Sequence, residues 1–329
     1  MNDISESTKA ILLLTAPLIT GRKAEGVKTL TLKEYNTLAR SLHAQGCQPQ
    51  DLLGARADAI LSALPPAFDP ARLQALLNRG FLLGQALNEW QRRAIWVVSR
   101  ADRTYPKRLK ARLRDQAPPI LYGCGERALL DEGGLAVVGS RKITETLKDY
   151  AEQLGALAAS AKMPIVSGAA RGIDSSAMAG ALHNGGDVIG VMADSLGKAA
   201  LAKENRQALL DGRLVLISAY DPSAGFNVGN AMQRNKAIYA LADAGLVVTA
   251  DFNKGGTWTG AIEQLKRMNL VPVFVCNGAE AGQGNAALID RGGIAWPEPK
   301  TSQELSAAVA QAAAAHSSVP RCEQLGLEV

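Results

Sequence analysis

At 329 residues the chain has room for one large domain, or for a large one and a smaller one. Its composition, 47% hydrophobic and 20% charged, excludes the disordered and fibrous classes. The net charge of +5 favours a polyanionic partner without requiring one. Four cysteines (Cys47, Cys124, Cys276 and Cys322) are widely scattered with no pair at metal-ligand spacing, and read as thiols in a reducing compartment. The acidic start, Met1 to Glu6, is unlike a signal peptide, and the apolar run Ile11 to Ile19 is too short to span a bilayer. A cytoplasmic protein with no membrane association is expected.

Residues 1–92 read as a small bundle of three or four helices. Thr31-Leu32-Lys33-Glu34 is a capping box, followed by Tyr35, Leu38, Ala39 and Leu42 at helical spacing. Asp69-Pro70 starts a second pattern that runs through Leu73, Leu76, Leu77, Leu83 and Leu87, and Pro65-Pro66 separates it from what precedes. From Arg92 to Arg114 there are nine Lys/Arg and one acidic residue, Asp102. A strand is expected at Ala94 to Val98 and a short helix after Tyr105-Pro106. Its cations are either a solvated face or an electrostatic approach to a phosphate backbone.

Residues 93–300 read as one larger domain, and after Leu135 the period switches to alternating strands and helices. Strands are expected at 135–138, 164–167, 187–193, 213–219, 245–250, 271–276 and 293–296, with helices at 144–161, 173–184, 201–211, 230–242, 257–268 and 285–290. Such alternation implies right-handed crossovers and an α/β fold with a doubly wound, mostly parallel sheet. Residues 301–329 read as a terminal helix and a frayed tail.

In an open parallel sheet, ligands bind beyond the carboxyl ends of the strands. The loop after 135–138 offers Gly139, Ser140, Arg141 and Lys142, and the one after 164–167 offers Ser167, Gly168, Arg171, Gly172 and Asp174. The loop after 245–250 supplies Asp251, Asn253 and Lys254, then Gly255, Gly256, Thr257 and Thr259, which resemble an anion nest opening a helix. The loop Asp221 to Gly229 leads into Gln233-Arg234-Asn235-Lys236. Glycine, hydroxyl, Arg and Lys without a metal cage describe phosphate binding. Asp174 reads as a helix cap or an orienter of Arg171. Catalytic groups are scarce: of three histidines only His183 falls near these loops, and there is neither a Walker lysine nor a nucleophile elbow. Asp174, Asp194 and Asp251 lack metal-ligand spacing. Neither a metal nor a cofactor is expected, and binding is favoured over catalysis.

Val137-Val138-Gly139-Ser140-Arg141 and Ile165-Val166-Ser167-Gly168-Ala169-Ala170-Arg171-Gly172-Ile173-Asp174 closely resemble the DNA-processing protein A family (DprA, also called Smf). Asp102 to Leu109, Pro118 to Gly123, and Gln233 to Ile238 resemble further elements of that family, in the same order. The resemblance covers roughly residues 95–280. It implies an extended Rossmann-like fold, preceded here by the small helical bundle, and a non-enzymatic homodimer that binds single-stranded DNA and loads RecA during transformation. Position by position, it assigns Arg141, Arg171, Arg234 and Lys236 to phosphates and Gly139, Ser140, Ser167, Gly168 and Gly172 to the shape of the pocket.

The chain departs from the family at several places. Met178 stands where a histidine is usual, Ala193 to Lys198 replaces a Gly/Asp/Tyr-Pro segment, and Lys236 takes the place of an arginine. The segment after residue 300 does not read as the winged-helix module that many relatives carry. Gly255-Gly256-Thr257-x-Thr259 also resembles the Gly-Gly-x-Gly-Thr motif of the related LOG nucleotide-processing proteins, although Ile262 holds the place of their catalytic Glu and Glu263 comes one residue late. That likeness supports an alternative: a nucleotide-sensing regulator of the wider SLOG superfamily, with a nucleotide ligand and a partner in an anti-phage defence or toxin–antitoxin locus. A nucleotide-cleaving enzyme is a third reading.

Overall fold

The structure, a computed structural model, describes residues 4–20, 26–278 and 281–318. The expected tail after residue 318, with Cys322, lies outside the described residues. The apolar run that begins at Ile11 lies on the first helix, α1 (Glu6–Thr15), whose Ala10, Ile11, Leu12 and Leu14 are fully buried. The Ser5 hydroxyl accepts the Thr8 amide at 3.1 Å and closes the helix start. Asp102 fixes this helix to the chain beyond the bundle. Its carboxylate accepts from the Ser5 and Thr8 hydroxyls at 2.6 Å each and from the Ser99 amide at 2.7 Å. Burial works to raise its pKa, and these hydrogen bonds outweigh burial and hold it below the ordinary value.

The capping box at Thr31 forms at the head of α2 (Leu32–Ala44): Glu34 receives the Thr31 amide at 2.7 Å and returns its own amide to the Thr31 hydroxyl at 3.3 Å. A 3₁₀ turn at Pro49–Leu53 and α3 (Ala57–Ser62) follow. Asp69 caps the next helix by accepting the Ala71 amide at 2.9 Å. The single pattern read from Leu73 to Leu87 is two helices, α4 (Pro70–Leu77) and α5 (Gly80–Arg92). They part at Asn78-Arg79, where the Arg79 guanidinium turns inward to the α1 carbonyl of Leu13 and to that of Ala16. Among the described residues the bundle therefore has five α-helices rather than three or four, because an apolar period survives a two-residue break that polar side chains make.

The remaining chain alternates strands and helices, as expected. In order these are β1 (Trp96–Ser99), α6 (Lys107–Leu113), β2 (Ile120–Gly125), β3 (Leu135–Val138), α7 (Glu145–Ser160), β4 (Ile165–Ser167), α8 (Ile173–His183), β5 (Val188–Met192), α9 (Leu196–Ala199), α10 (Lys203–Leu210) and β6 (Leu214–Ser218). Then come α11 (Val228–Leu241), β7 (Ala244–Val247), α12 (Gly255–Glu263) running into a π turn at Gln264–Met268, β8 (Val273–Val275), α13 (Gln283–Ile289), β9 (Ile294–Ala295) and α14 (Ser302–Ser318). The strand expected at Ala94 begins two residues later, because Ala94 takes a left-handed φ of 54° to finish the turn after α5. No helix among the described residues is long and apolar enough to cross a membrane.

The chain divides into two units. The first comprises Met1–Glu132, Ser167–Ala169 and Asp187–Leu241, the second Gly133–Val166, Ala170–Gly186 and Ala242–Val329. In the first, strands run in the order β1-β2-β6-β5, with β2 antiparallel to β1 and β6, and β5 parallel to β6. In the second the order is β4-β3-β7-β8-β9, all parallel. This is the doubly wound, mostly parallel α/β fold. Strand β2 has no counterpart among the strands read from sequence, since its flanking Pro118-Pro119 and its Gly123 and Gly125 look like a loop. Gly123 is there because the Trp96 ring of β1 lies over it: a Cβ would stand 2.4 Å from that ring. The β3 and β4 residues before Ser167 are fully apolar and buried, as strands covered on both faces require.

Glu34 gives a direct test of the bundle's electrostatics. Arg72 reaches both of its carboxylate oxygens, at 2.7 and 3.4 Å, and with the Thr31 amide lowers its pKa from 4.5 to about 2. A depressed carboxylate pKa stabilises the fold fully above 4.5 and loses that contribution as pH falls toward 2. The pair is half-buried at the surface and screened by solvent, so Glu34→Gln is expected to cost about 1 kcal/mol at pH 7. Urea unfolding should show this deficit shrinking as pH falls below 4.5; a pH-independent deficit would assign it to the cap alone.

Candidate functional site

In the second unit, β3 and β4 are parallel neighbours, so the loops at their carboxyl ends emerge side by side. Gly172 joins them. It holds φ at +89°, and a Cβ there would stand 2.3 Å from the Ser140 carbonyl oxygen and 2.9 Å from the Arg141 Cα. Only glycine permits both that φ and that approach. The next amide, Ile173, donates to the same Ser140 carbonyl at 3.3 Å as α8 begins. The sequence-derived residues Gly139, Ser140, Arg141 and Lys142 are thereby set against Arg171 and Gly172. Arg141, Lys142 and Arg171 are all exposed.

The loop after β7 is tied to the same place. The Thr257 hydroxyl of α12 donates to the Gly139 carbonyl at 2.8 Å, and that of Thr259 donates to the Gly255 carbonyl at 3.0 Å. Asn253 and Gly255 take φ values of 57° and 77°, turning the chain so that Gly255 and Gly256 open the helix. Both threonine hydroxyls thus spend their protons on carbonyls. Asp174 is 5% exposed in the first turn of α8, where a carboxylate meets the positive end of the helix. It stands two residues after Gly172, the residue at the N-cap of that helix.

The other predicted residues belong to the first unit. Arg234, in α11, donates from Nη1 to the Val191 carbonyl at the end of β5, at 2.7 Å, and to the Gly168 carbonyl just after β4. A Cβ on Gly168 would lie 2.1 Å from that nitrogen, so the glycine makes room for the guanidinium. Ser167 is fully buried beside it in sequence. Lys236 reaches the Gln116 side chain at 3.0 Å, and Asn235 is half-buried between the two cations. Arg234 is therefore first a brace that fixes the ends of two strands.

Loop Asp221 to Gly229 has a fixed base and a projecting tip. The Asp221 carboxylate is 3% exposed and accepts the Ser223 amide at 2.9 Å and the Ile19 amide at 3.1 Å. Burial raises its pKa, against the pull of those two amides. Asn227 caps α11 by accepting the Asn230 amide at 3.1 Å, while Phe226 and Val228 on either side are exposed. Neither Phe226 nor Phe252, in the loop after β7, has phosphate-binding chemistry, so the residue types that mark these loops in the sequence do not include them.

Within the basic stretch Arg92 to Arg114, Arg92, Arg103, Lys107 and Arg114 are exposed, and the other five cations hold parts of the fold. Arg112 donates to the Ala240 carbonyl at 3.1 Å and Arg108 to that of Leu241 at 3.5 Å, so both cap the carbonyl end of α11. Arg93 pairs with Glu89, Arg100 stands over the Tyr35 ring at 5.4 Å, and Lys110 donates to the Arg100 carbonyl at 3.0 Å. Five of the nine cations thus brace the first unit.

The family model of DNA recombination-mediator protein A matches residues 96–306. The chain belongs to that family. It is 32% identical to protein Smf of Escherichia coli over 204 residues, covering 60% of this chain and 52% of that one. The chain spans about half the length of the first curated relatives it matches. The solved structure of DNA processing protein A from Streptococcus pneumoniae superposes with a TM-score of 0.60 at 24% identity, over 85% of this chain and 98% of that chain. That of DNA processing protein A from Helicobacter pylori, a protein with a single-stranded DNA binding mode, gives 0.54 at 24% identity, over 66% and 96%. Both share the fold with this DprA-family chain.

The contact at Gly172 can be tested within the family fold. Gly172→Ala is expected to destabilise by about 1–3 kcal/mol, since it adds left-handed strain to a clash with backbone. Gly255→Ala, at a similar φ with open space around it, should cost less. Equal melting temperatures for the two variants would mean that the Ser140 and Gly172 loops do not touch.

Proposed function

We propose that this chain is a non-enzymatic protein that binds single-stranded DNA through the phosphates of the strand. The observation that carries the reading is the contact of the Ser140–Arg141 loop with the Arg171–Gly172 loop, which groups three exposed cations at the ends of adjacent parallel strands. Arg141, Lys142 and Arg171 of the second unit make the direct phosphate contacts; Arg234 and Lys236, which the family resemblance assigns to phosphates, belong to the first unit. Gly139, Ser140, Gly172, Gly255, Gly256, Thr257 and Thr259 shape this surface with backbone amides and hydroxyls, and Asp174 stands in the first turn of α8; Ser167, Gly168 and Asn235 lie with Arg234 in the first unit. Arg and Lys on glycine-opened loops suit a backbone of evenly spaced anions better than a single buried group. The single-stranded DNA binding mode of the Helicobacter pylori relative supports the same ligand. RecA loading, a homodimeric state and a cytoplasmic setting are carried over from the family as parts of this proposal.

The alternative, nucleotide sensing, draws on the glycine-rich start of α12. Its weakness is Thr257, whose hydroxyl is engaged with the Gly139 carbonyl. Thermal-shift screening separates the two readings: a mononucleotide that raises the melting temperature where an oligonucleotide does not would favour sensing.

Three phosphate contacts to a single strand predict a log–log slope of affinity against salt of roughly −2. Titration of a fluorescent oligonucleotide at several salt concentrations measures it. Arg171→Ala should weaken binding, reduce the slope by about one phosphate contact's share, and leave the melting temperature unchanged. Salt-insensitive binding by the unaltered protein, or none at micromolar concentration, would overturn the proposal.

A further inference from the structure

The loop between β7 and α12 carries one side chain that phosphate binding does not use. Phe252 is 45% exposed in a chain with only 5% aromatic residues. Its ring is nonetheless held. It meets the Trp258 ring edge-on, with centroids 5.1 Å apart and planes at 68°, and Trp258 itself is buried. The Arg291 guanidinium stands over both rings, 5.9 Å from the centre of Phe252 and 5.4 Å from that of Trp258. Trp258 and Arg291 cover part of the Phe252 ring, and the rest faces solvent.

The loop itself is equally fixed. The left-handed residues Asn253 and Gly255 follow Phe252 directly, and the Thr257 hydroxyl ties the start of α12 to the Gly139 carbonyl, two residues before Arg141. An apolar ring is thus braced from behind, half in water, on a loop tied to the cationic one. Unlike an exposed side chain that moves freely, this ring is positioned by its two neighbours and offers a fixed apolar surface. A nucleobase is the flat, polarisable surface that suits it, since every base presents a π-face whatever its sequence.

We propose that Phe252 is a nucleobase-stacking platform, so that this chain holds the bases of a single strand as well as its phosphates. The proposal rests on the single-stranded DNA reading above and adds a ligand group to it. Stacking of this kind is indifferent to sequence, and recognition here is accordingly of strandedness: bases paired in a duplex have no free face for Phe252.

The test uses the full chain with two fluorescent probes of one length, an oligothymidylate and an abasic oligonucleotide with the same phosphates. Phe252→Ala should weaken oligothymidylate binding about tenfold. Abasic binding and the salt slope should not change. Phe252→Leu keeps an apolar cover on Trp258 and removes the π-face, and should behave as Phe252→Ala does; Phe252→Tyr should bind as the unaltered protein. Equal weakening on both probes, no weakening on either, or full binding by Phe252→Leu would overturn the proposal and leave Phe252 as a cover for Trp258. If the unaltered protein binds neither probe, the single-stranded DNA reading itself fails; if it binds both with the expected salt dependence and Phe252→Ala matches it, only the stacking platform fails.

Discussion

The close approach of Gly172 to the Ser140 carbonyl is the constraint on which the second unit's cationic surface depends. Two parallel strands bring two loops near each other, but proximity alone would leave Arg141 and Arg171 to wander. A left-handed residue with no side chain lets α8 start directly against the neighbouring loop, and the Ile173 amide then fastens it. Thr257 fastens a third loop to the same carbonyl ends. Like charges are costly to gather, so the backbone, rather than any attraction among the side chains, holds the cations together.

The first unit solves a related problem with arginines. Arg234 holds the carbonyls that end β5 and follow β4, while Arg108 and Arg112 hold the carbonyls that end α11, the helix on which Arg234 sits. A planar guanidinium with several donors serves carbonyl oxygens as well as it serves phosphate. A count of basic residues therefore overstates the charge available to a ligand. Much of the positive charge between Arg92 and Arg114 is consumed by the fold, and what faces solvent at the strand ends is a shorter set.

The alternation of apolar strands with amphipathic helices made the fold class legible, because buried parallel strands have few other ways to look. The loops Gly139 to Lys142 and Arg171 to Asp174 were legible for the same reason: they follow unmistakable strands. Strand β2 was not, since its glycines serve the Trp96 ring, and glycine in a short segment reads as a turn. The break between α4 and α5 was invisible because the leucine spacing runs on through it. The bracing roles of Arg79, Arg108, Arg112 and Arg234 were equally out of reach. Each depends on carbonyls that lie far away in sequence, and no local pattern encodes such a partner. Phe226 and Phe252 were passed over because an exposed aromatic residue in a loop leaves no periodic trace.

Backbone hydrogen exchange with and without a saturating single-stranded oligonucleotide tests the central claim most directly. If the loops joined at Gly172 hold the strand, amides of residues 139–142 and 171–174 should exchange more slowly in its presence, with the helices of residues 6–92 unchanged. Protection confined to those helices, with the Gly139 and Arg171 loops exchanging as before, would contradict it.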